Sequence, residues 1–183
     1  MDEVEFKTTT YLEMNDPDEL RPRRVEFDGL EIRQVETVAP EFHWFLHQAV
    51  GADFRWGGPE DWGVKEWTAH VARPELVTWV AYVKGVPSGY FELERHEDGS
   101  VEILYFGIMA RYFGKGLGGH LLTETVERAW ELGANRVWLI TNTHDHEHAL
   151  ANYLARGFKV FKTEKGPANR PRESALFSQP KSV

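Results

Sequence analysis

Cysteine is absent from the 183-residue sequence, which excludes disulfide bonds, thiolate metal sites and a cysteine nucleophile. No apolar run reaches the roughly 18 to 20 residues that a membrane-spanning helix needs, so no membrane association is expected. Positive charge is also scarce, because 21 Lys and Arg stand against 29 Asp and Glu and give a net charge of -8. That balance disfavours nucleic acid as a partner and weakly favours a cationic one.

The residues that are present describe one globular domain. Hydrophobic residues make up 42% of the chain and aromatic residues 13%, and 183 residues are enough to bury a full core. The first residues, Met1-Asp2-Glu3, lack the basic and apolar regions of a signal peptide, so we expect a cytoplasmic location. Apolar residues alternate from Val4 to Met14 and predict an N-terminal strand.

A strand, a helix and a second strand surround a glycine-rich turn in the middle of the chain. Val101 to Met109 is apolar at nearly every position, which is typical of a strand buried on both faces. From Leu117 to Gly133, apolar residues recur at helical spacing, and Arg136 to Ile140 is a second buried strand. The turn itself, Arg111 to Gly119, contains four glycines.

This turn has the features of a phosphate-binding loop. Glycines allow a ligand to approach the backbone closely, and the first amides of the following helix have no helical partner. A Walker A loop is excluded, because it needs Gly at Met109 and Ser or Thr at Gly116. Gly114, Gly116 and Gly119 match the dinucleotide-binding fingerprint, but too few strands follow for a dinucleotide-binding sheet. An NAD-type dinucleotide-binding protein is therefore a weaker alternative.

Two motifs resemble those of the GNAT superfamily of N-acetyltransferases. Arg111-x-x-Gly114-x-Gly116 is similar to the pyrophosphate loop of that family. Downstream, Ala149-x-x-x-Tyr153-x-x-x-Gly157-Phe158 is similar to the signature that ends the family's coenzyme site. The resemblance covers Val101 to Glu164, with departures at Asn152, where the family usually has Leu, and at His146, where an Asn is common.

The resemblance implies an α/β GNAT fold, with a central mixed and mostly antiparallel sheet flanked by helices and an extra N-terminal strand. We expect a single domain over residues 1–183. Within it, residues 1–28 are an N-terminal extension that holds the extra strand, residues 101–164 are the acetyl-CoA-binding core, and residues 169–183 are a C-terminal tail. The N-terminal strand would extend the sheet across a possible homodimer.

The same resemblance implies acetyl-CoA as co-substrate. Amides from about Phe113 to Gly118 would face its pyrophosphate, and the backbone of Gly107 to Met109 would pair with the pantetheine arm. Gly107 is the expected position of a bulge that splays this strand from the next. The coenzyme-binding candidates are Gly107, Ile108, Met109, Arg111, Tyr112, Phe113, Gly114, Lys115, Gly116, Leu117, Gly118 and Asn142.

The resemblance assigns Tyr153 as the acid that protonates the leaving thiolate. For the base we expect Glu102, because the alternation places it on one strand face with the apolar residues Leu104, Phe106 and Ile108, which would raise its proton affinity. In some members of the family a Glu at the start of this strand acts as base through water. A strand-end Glu that reaches solvent is the alternative interpretation, and Glu92 on the neighbouring strand is a weaker candidate.

The connection between the first two predicted helices lines the acceptor pocket in GNAT proteins. Here it carries Phe54, Trp56 and Trp62, which are candidates for holding a small-molecule amine or a peptide acceptor. Packing of these rings in the core is the alternative. We expect Pro40 to Gly51 to form the first helix and Asp61 to cap the second.

The histidine-rich segment His144 to His148 has the residue types of a zinc or nickel site. However, Asp145 reads as the N-cap of the last helix, and a helix would point these histidines apart. We therefore expect no metal. The sequence as a whole predicts an acetyltransferase that acts on an amine by direct attack in a ternary complex, and a non-catalytic CoA-binding scaffold is a further alternative.

Overall fold

Seven strands and four helices form the part of the chain that the computed structural model describes, residues 5–56 and 62–168. The strands are β1 (Phe6–Met14), β2 (Leu30–Gln34), β3 (Leu76–Val83), β4 (Val86–Arg95), β5 (Ser100–Ile108), β6 (Arg136–Asn142) and β7 (Lys159–Pro167). The helices are α1 (Pro40–Gly51), α2 (Val64–Val71), α3 (Leu117–Glu131) and α4 (Ala149–Ala155). The predicted fold class is confirmed.

One sheet holds all seven strands in the order β2-β3-β4-β5-β6-β1-β7. Neighbouring strands are antiparallel except β5 and β6, the two strands that α3 connects. The parallel pairing of β5 with β6 ends at Ile103 and Leu139, so the two strands separate beyond that point. This separation leaves a slot in the middle of the sheet.

The N-terminal strand lies inside the sheet. β1 pairs antiparallel with β6 on one edge and with β7 on the other. Leu12 and Met14 are fully buried in the core, while Tyr11 and Glu13 alternate with them on the opposite face. Because both edges of β1 are occupied, the expectation that this strand extends the sheet across a dimer is wrong.

The bulge in β5 lies at Leu104 and not, as predicted, at Gly107. Leu93 pairs with Ile103 and Glu92 with Tyr105, which leaves Leu104 without a partner in β4, whereas Gly107 pairs regularly with Tyr90. A one-residue bulge shifts all later side chains to the other face. The sequence hides this shift, because β5 carries no charged residue beyond Glu102 that would mark the faces after the bulge.

The bulge also corrects the predicted surroundings of Glu102. Glu102 shares its face with Tyr105 and Gly107, on the side of α1 and α2, and not with Phe106 and Ile108. On that side Tyr105 lies 5.1 Å from the ring of His47 in α1. A hydrophobic core fills each side of the sheet, one packed against α3 and the other against α1. None of the helices in the two described ranges is long and apolar enough to cross a membrane.

Candidate active site

A cavity of about 740 Å³ opens in the slot where β5 and β6 separate. It runs from the glycine-rich turn, along β5, to α4, and one wall is formed by the segment that follows α1. The predicted residues that line it are Phe54, Trp56, Glu102, Gly107, Ile108, Tyr112, Phe113, Gly114, Gly116, Gly118, Asn142 and Tyr153. The structure therefore brings most of the candidates from three separate stretches of sequence to one space.

The other predicted residues lie outside this lining. Met109 and Leu117 are buried in the core against α1. Arg111 and Lys115 are exposed, and the ammonium of Lys115 lies 5.7 Å from the ring centre of Tyr112. The side chains of these four residues therefore support the turn or face solvent.

The backbone of the turn leaves several amides without a partner. Gly114 and Gly116 have φ angles of 73° and 82°, which favour glycine, and Gly116 is the N-cap of α3. The first helical hydrogen bond joins the amide of His120 to the carbonyl of Gly116 at 3.3 Å. Within the described chain, the amides of Gly114, Gly116, Leu117 and Gly118 donate to no other group, so they are available to an anion.

Two amides of the predicted set are used inside the turn itself. The amide of Phe113 donates to the carbonyl of Ala110 at 3.0 Å, and that of Lys115 to the carbonyl of Tyr112 at 3.4 Å. Of the amides from Phe113 to Gly118 that are expected to face the pyrophosphate, these two are therefore already occupied. A tight turn satisfies part of its own backbone, and here two of the six amides do so.

Among the described strands, none pairs beyond Ile103 with the edge of β5 that faces the slot. Backbone groups from Leu104 to Ile108 on that edge are available to an extended ligand. Gly107 is needed here for packing, because a Cβ at this position would lie 2.4 Å from a methyl carbon of Val50 in α1. The cavity thus combines unpaired amides at one end with an unpaired strand edge along its length.

Tyr153 projects from α4 into the same cavity and is 7% exposed. Its ring packs edge-on against Phe106 at 6.0 Å and Phe158 at 6.2 Å. Burial, and to a lesser extent the charge of Asp145, hold the pKa of Tyr153 well above its usual value. The hydroxyl therefore stays protonated at neutral pH, and it forms no hydrogen bond with the described residues.

The sequence profile of the Acetyltransferase (GNAT) family matches residues 40–158, which is more than half of the chain. The chain belongs to this family. Residues 5–39, which contribute β1, β2 and the segment between them, lie outside the matched range. None of the curated proteins compared with the chain matches it.

Solved structures share the GNAT fold. A GCN5-related N-acetyltransferase from Sphaerobacter thermophilus is 15% identical, with 90% of this chain and 52% of that protein aligned at a TM-score of 0.66. A GNAT family protein from Streptococcus pneumoniae is 22% identical, with 71% of this chain and 87% of that protein aligned at a TM-score of 0.53. The chain spans 52 to 61% of the length of four of the matched structures. At these identities the likeness shows the fold alone.

Glu102, the predicted base of this GNAT domain, lines the cavity with a side chain that is 12% exposed. One carboxylate oxygen lies 3.1 Å from Nε2 of His96. Burial raises the pKa of Glu102, and the hydrogen bond and charge of His96 partly oppose this shift. A carboxylate with a raised pKa is a stronger base than an exposed one.

Glu92, the weaker candidate, belongs to a buried network on the same face of the sheet. Its carboxylate lies 2.9 Å from Nε2 of His70, and Arg73 Nη2 lies 3.2 Å from Nδ1 of the same ring. Because a guanidinium only donates, Nδ1 accepts and Nε2–H donates to Glu92. Arg73 also forms a bidentate ion pair with Glu94. Neither Glu92 nor His70 lines the cavity. Because His70 belongs to α2 and Glu92 to β4, their hydrogen bond holds α2 against the sheet.

The three predicted acceptor residues have different positions. Trp56 lines the cavity and stacks on Tyr105, with ring centres 5.4 Å apart. Phe54 also lines it, 6.3 Å from Phe113 of the glycine-rich turn. Trp62 packs instead on Trp67, 5.2 Å away, outside the lining. Asp61, the predicted cap of α2, lies outside the described residues, and the N-cap is Gly63.

The histidine-rich segment is a turn before α4, and the predicted N-cap is wrong. The cap of α4 is His148, while Asp145 accepts a hydrogen bond from the amide of Asn142 at 3.0 Å. The carboxylate of Asp145 therefore binds the backbone at the last residue of β6 and does not cap α4. No group of three metal-ligating side chains occurs in the described ranges. His146 packs on the ring of Phe113 at 4.5 Å.

Two arginines that sequence reasoning missed also line the cavity. Arg23 comes from the segment between β1 and β2, and Arg156 is the C-cap of α4. Arg23 lies in a charged, proline-containing stretch with no periodicity, and it is far in sequence from the recognised motifs. Only the fold brings it to the glycine-rich turn.

Proposed function

We propose that the chain is an N-acetyltransferase that takes its acetyl group from acetyl-CoA and transfers it to an amine by direct attack in a ternary complex. The observation that carries this proposal is one continuous cavity, which joins the free amides of the turn to the phenol of Tyr153. Those amides belong to Gly114, Gly116, Leu117 and Gly118. The open edge of β5 connects the two ends.

The residues fit the shape and charge of such a coenzyme. The free amides and the positive end of α3 suit a diphosphate. The unpaired edge of β5 offers donors and acceptors for the amide groups of a pantetheine arm. A Cβ at Gly118 would meet only Ile108 and Asn152 at 3.6 and 3.9 Å, so the small residue keeps the turn open toward the cavity.

Acetyl-CoA supplies a thioester carbonyl that an amine can attack. The hydroxyl of Tyr153, which is protonated at neutral pH, donates a hydrogen bond to the departing sulfur. Late in C–S cleavage it passes that proton to the thiolate, and it regains a proton from solvent. Its raised pKa favours stabilisation by hydrogen bonding over early proton transfer. Glu102 accepts the ammonium proton through water, and its raised pKa makes it a better base.

The acceptor enters beside Trp56 and Phe54, which the segment after α1 contributes to the cavity wall. An indole face stabilises a nearby cation by roughly 0.5 to 2 kcal/mol. The net charge of -8 also favours a cationic amine over an anionic acceptor. One matched structure is an aminoglycoside acetyltransferase in complex with sisomicin, and it shares 16% identity with this chain. We propose a small-molecule amine or a peptide as the acceptor.

The test is a thiol-release assay with acetyl-CoA against a panel of polyamines, aminoglycosides and peptides. We expect thiol release that depends on one class of amine, together with a rise in melting temperature when acetyl-CoA is added. Stabilisation by NAD but not by acetyl-CoA would favour a dinucleotide-binding protein. Binding of acetyl-CoA without thiol release for any amine would favour a non-catalytic scaffold.

A further inference from the structure

Arg23 and Arg156 meet above the first turn of α3. A Cβ built on Gly119 would lie 2.7 Å from Cδ of Arg23 and 2.9 Å from Nη1 of Arg156. The guanidinium of Arg23 also extends toward Gly116, where a Cβ would lie 3.5 Å from its Nη2. Both arginines thus pack against Gly119, Arg23 also reaches Gly116 with its free amide, and both side chains line the cavity.

The segment that carries Arg23 is fixed to α3 by its backbone. The amide of Arg23 donates to the hydroxyl of Thr123 at 2.9 Å, and the amide of Val25 donates to Nδ1 of His120 at 3.2 Å. The position of Arg23 is therefore set by the fold and not by a free loop.

Arg23 and Arg156 differ from the neighbouring Arg24 in their lack of acidic partners among the described residues. Arg24, one position along, forms ion pairs with Glu124 at 2.5 Å and Glu127 at 2.6 Å on the outer surface of α3. In the described chain, neither Arg23 nor Arg156 forms an ion pair with a carboxylate. The pKa of Arg156 is lowered, first by burial and then by the charge of Arg23. Two like charges held together without an acidic partner favour an anion.

We propose that Arg23 and Arg156 form a second phosphate-binding element of the coenzyme site, which clamps a phosphate group of CoA beside the free amides of the turn. This inference rests on the proposed function. Arginine suits this role because its planar fork of donors matches the oxygens of a phosphate. Arg23 lies outside residues 40–158, the range that the family profile matches, whereas Arg156 lies inside it, so the N-terminal segment contributes one of the two arginines.

Calorimetric titration of the full chain tests the proposal. The ligands are CoA, 3′-dephospho-CoA and inorganic pyrophosphate, and the variants are Arg23→Gln and Arg156→Gln. Arg24→Gln is the matched control, because it removes the same charge one residue away and faces the outer surface. We expect each cavity variant to weaken CoA binding about tenfold or more, and the control to bind CoA as the wild type does.

The second ligand identifies the phosphate. A loss confined to CoA means that the pair binds the 3′-phosphate, and an equal loss for CoA and 3′-dephospho-CoA means that it binds the diphosphate. Wild-type affinity of both cavity variants for both ligands overturns the inference.

Inorganic pyrophosphate separates this inference from the proposed function. A wild-type chain that binds no CoA contradicts the proposed function. In that case, pyrophosphate binding that is lost in Arg23→Gln and Arg156→Gln still supports an anion site at the pair. Pyrophosphate binding that the variants leave unchanged, or none at all, overturns it.

Discussion

On the α3 and α4 side of β5, the cavity is built mainly from backbone, whereas on the α1 and α2 side it is built from side chains. The first side offers the open edge of β5 and the free amides of Gly114, Gly116, Leu117 and Gly118, with Tyr153 as its reactive side chain. The second side has Glu102 at the cavity and the buried network of His70, Arg73 and Glu92 behind it.

This difference teaches which changes each side tolerates. Backbone donors need only the right turn, so their function depends on glycine and not on side-chain chemistry. A buried network depends on every partner, because the loss of one leaves another unsatisfied in a low-dielectric interior. Substitutions on the first side should affect binding and turnover, and those on the second side should affect stability first.

The largest expected effect is on turnover. Tyr153→Phe removes the hydroxyl that donates to the sulfur and keeps the packed ring, so we expect kcat to fall by about 10² to 10⁴ with coenzyme affinity unchanged. Steady-state kinetics and calorimetry measure the two quantities. Tyr11→Phe, which removes a surface hydroxyl bonded to Glu164, is the matched control. Full turnover in Tyr153→Phe would remove this residue from the mechanism.

The next effect is on stability. His70→Ala leaves one oxygen of the buried Glu92 carboxylate without its donor, and the other oxygen keeps only the long 3.5 Å hydrogen bond from Thr78. We expect the free energy of unfolding to drop by about 3 to 5 kcal/mol. Urea denaturation measures the change. The control Arg33→Ala breaks an exposed pair with Glu31 and should cost less than about 1 kcal/mol. Equal losses of unfolding free energy in His70→Ala and Arg33→Ala would show that the buried network stabilises the fold no more than an exposed ion pair does.

A third variant tests the backbone of the turn. Gly116→Leu places a side chain at a φ of 82°, with its Cβ 3.0 Å from Val25, so the turn must change shape and the amides lose their arrangement. We expect coenzyme affinity to fall by about a hundredfold or more. Gly133→Leu has a similar φ of 84° at the far end of α3, with open space around it. A similar loss in this control would attribute the effect to backbone strain alone.

The smallest effect is a shift in pH dependence. His96→Leu removes the hydrogen bond that lowers the pKa of Glu102 but keeps an apolar side chain over it. The pKa of Glu102 should then rise further, so a higher pH is needed to ionise the base. We expect the acidic limb of the kcat/KM profile to move to higher pH. A limb that stays in place would mean that Glu102 is not the group that titrates.

The sequence reveals the backbone side better than the side-chain side. The turn and Tyr153 lie in two short motifs, and glycine at a positive φ is a local signal. The bulge at Leu104 is invisible because β5 carries no charged residue beyond Glu102 that would mark its faces. The place of β1 between β6 and β7 depends on contacts across more than a hundred residues. Arg23 and the His70 network have no local pattern, because their partners come together only in the folded chain.

The most direct measurement is a crystal structure of the chain with acetyl-CoA. We predict a diphosphate within hydrogen-bonding distance of the amides of Gly114, Gly116 and Gly118, and a sulfur beside the hydroxyl of Tyr153. A coenzyme that lies outside the slot between β5 and β6, or a sulfur remote from Tyr153, would contradict the proposed transferase mechanism.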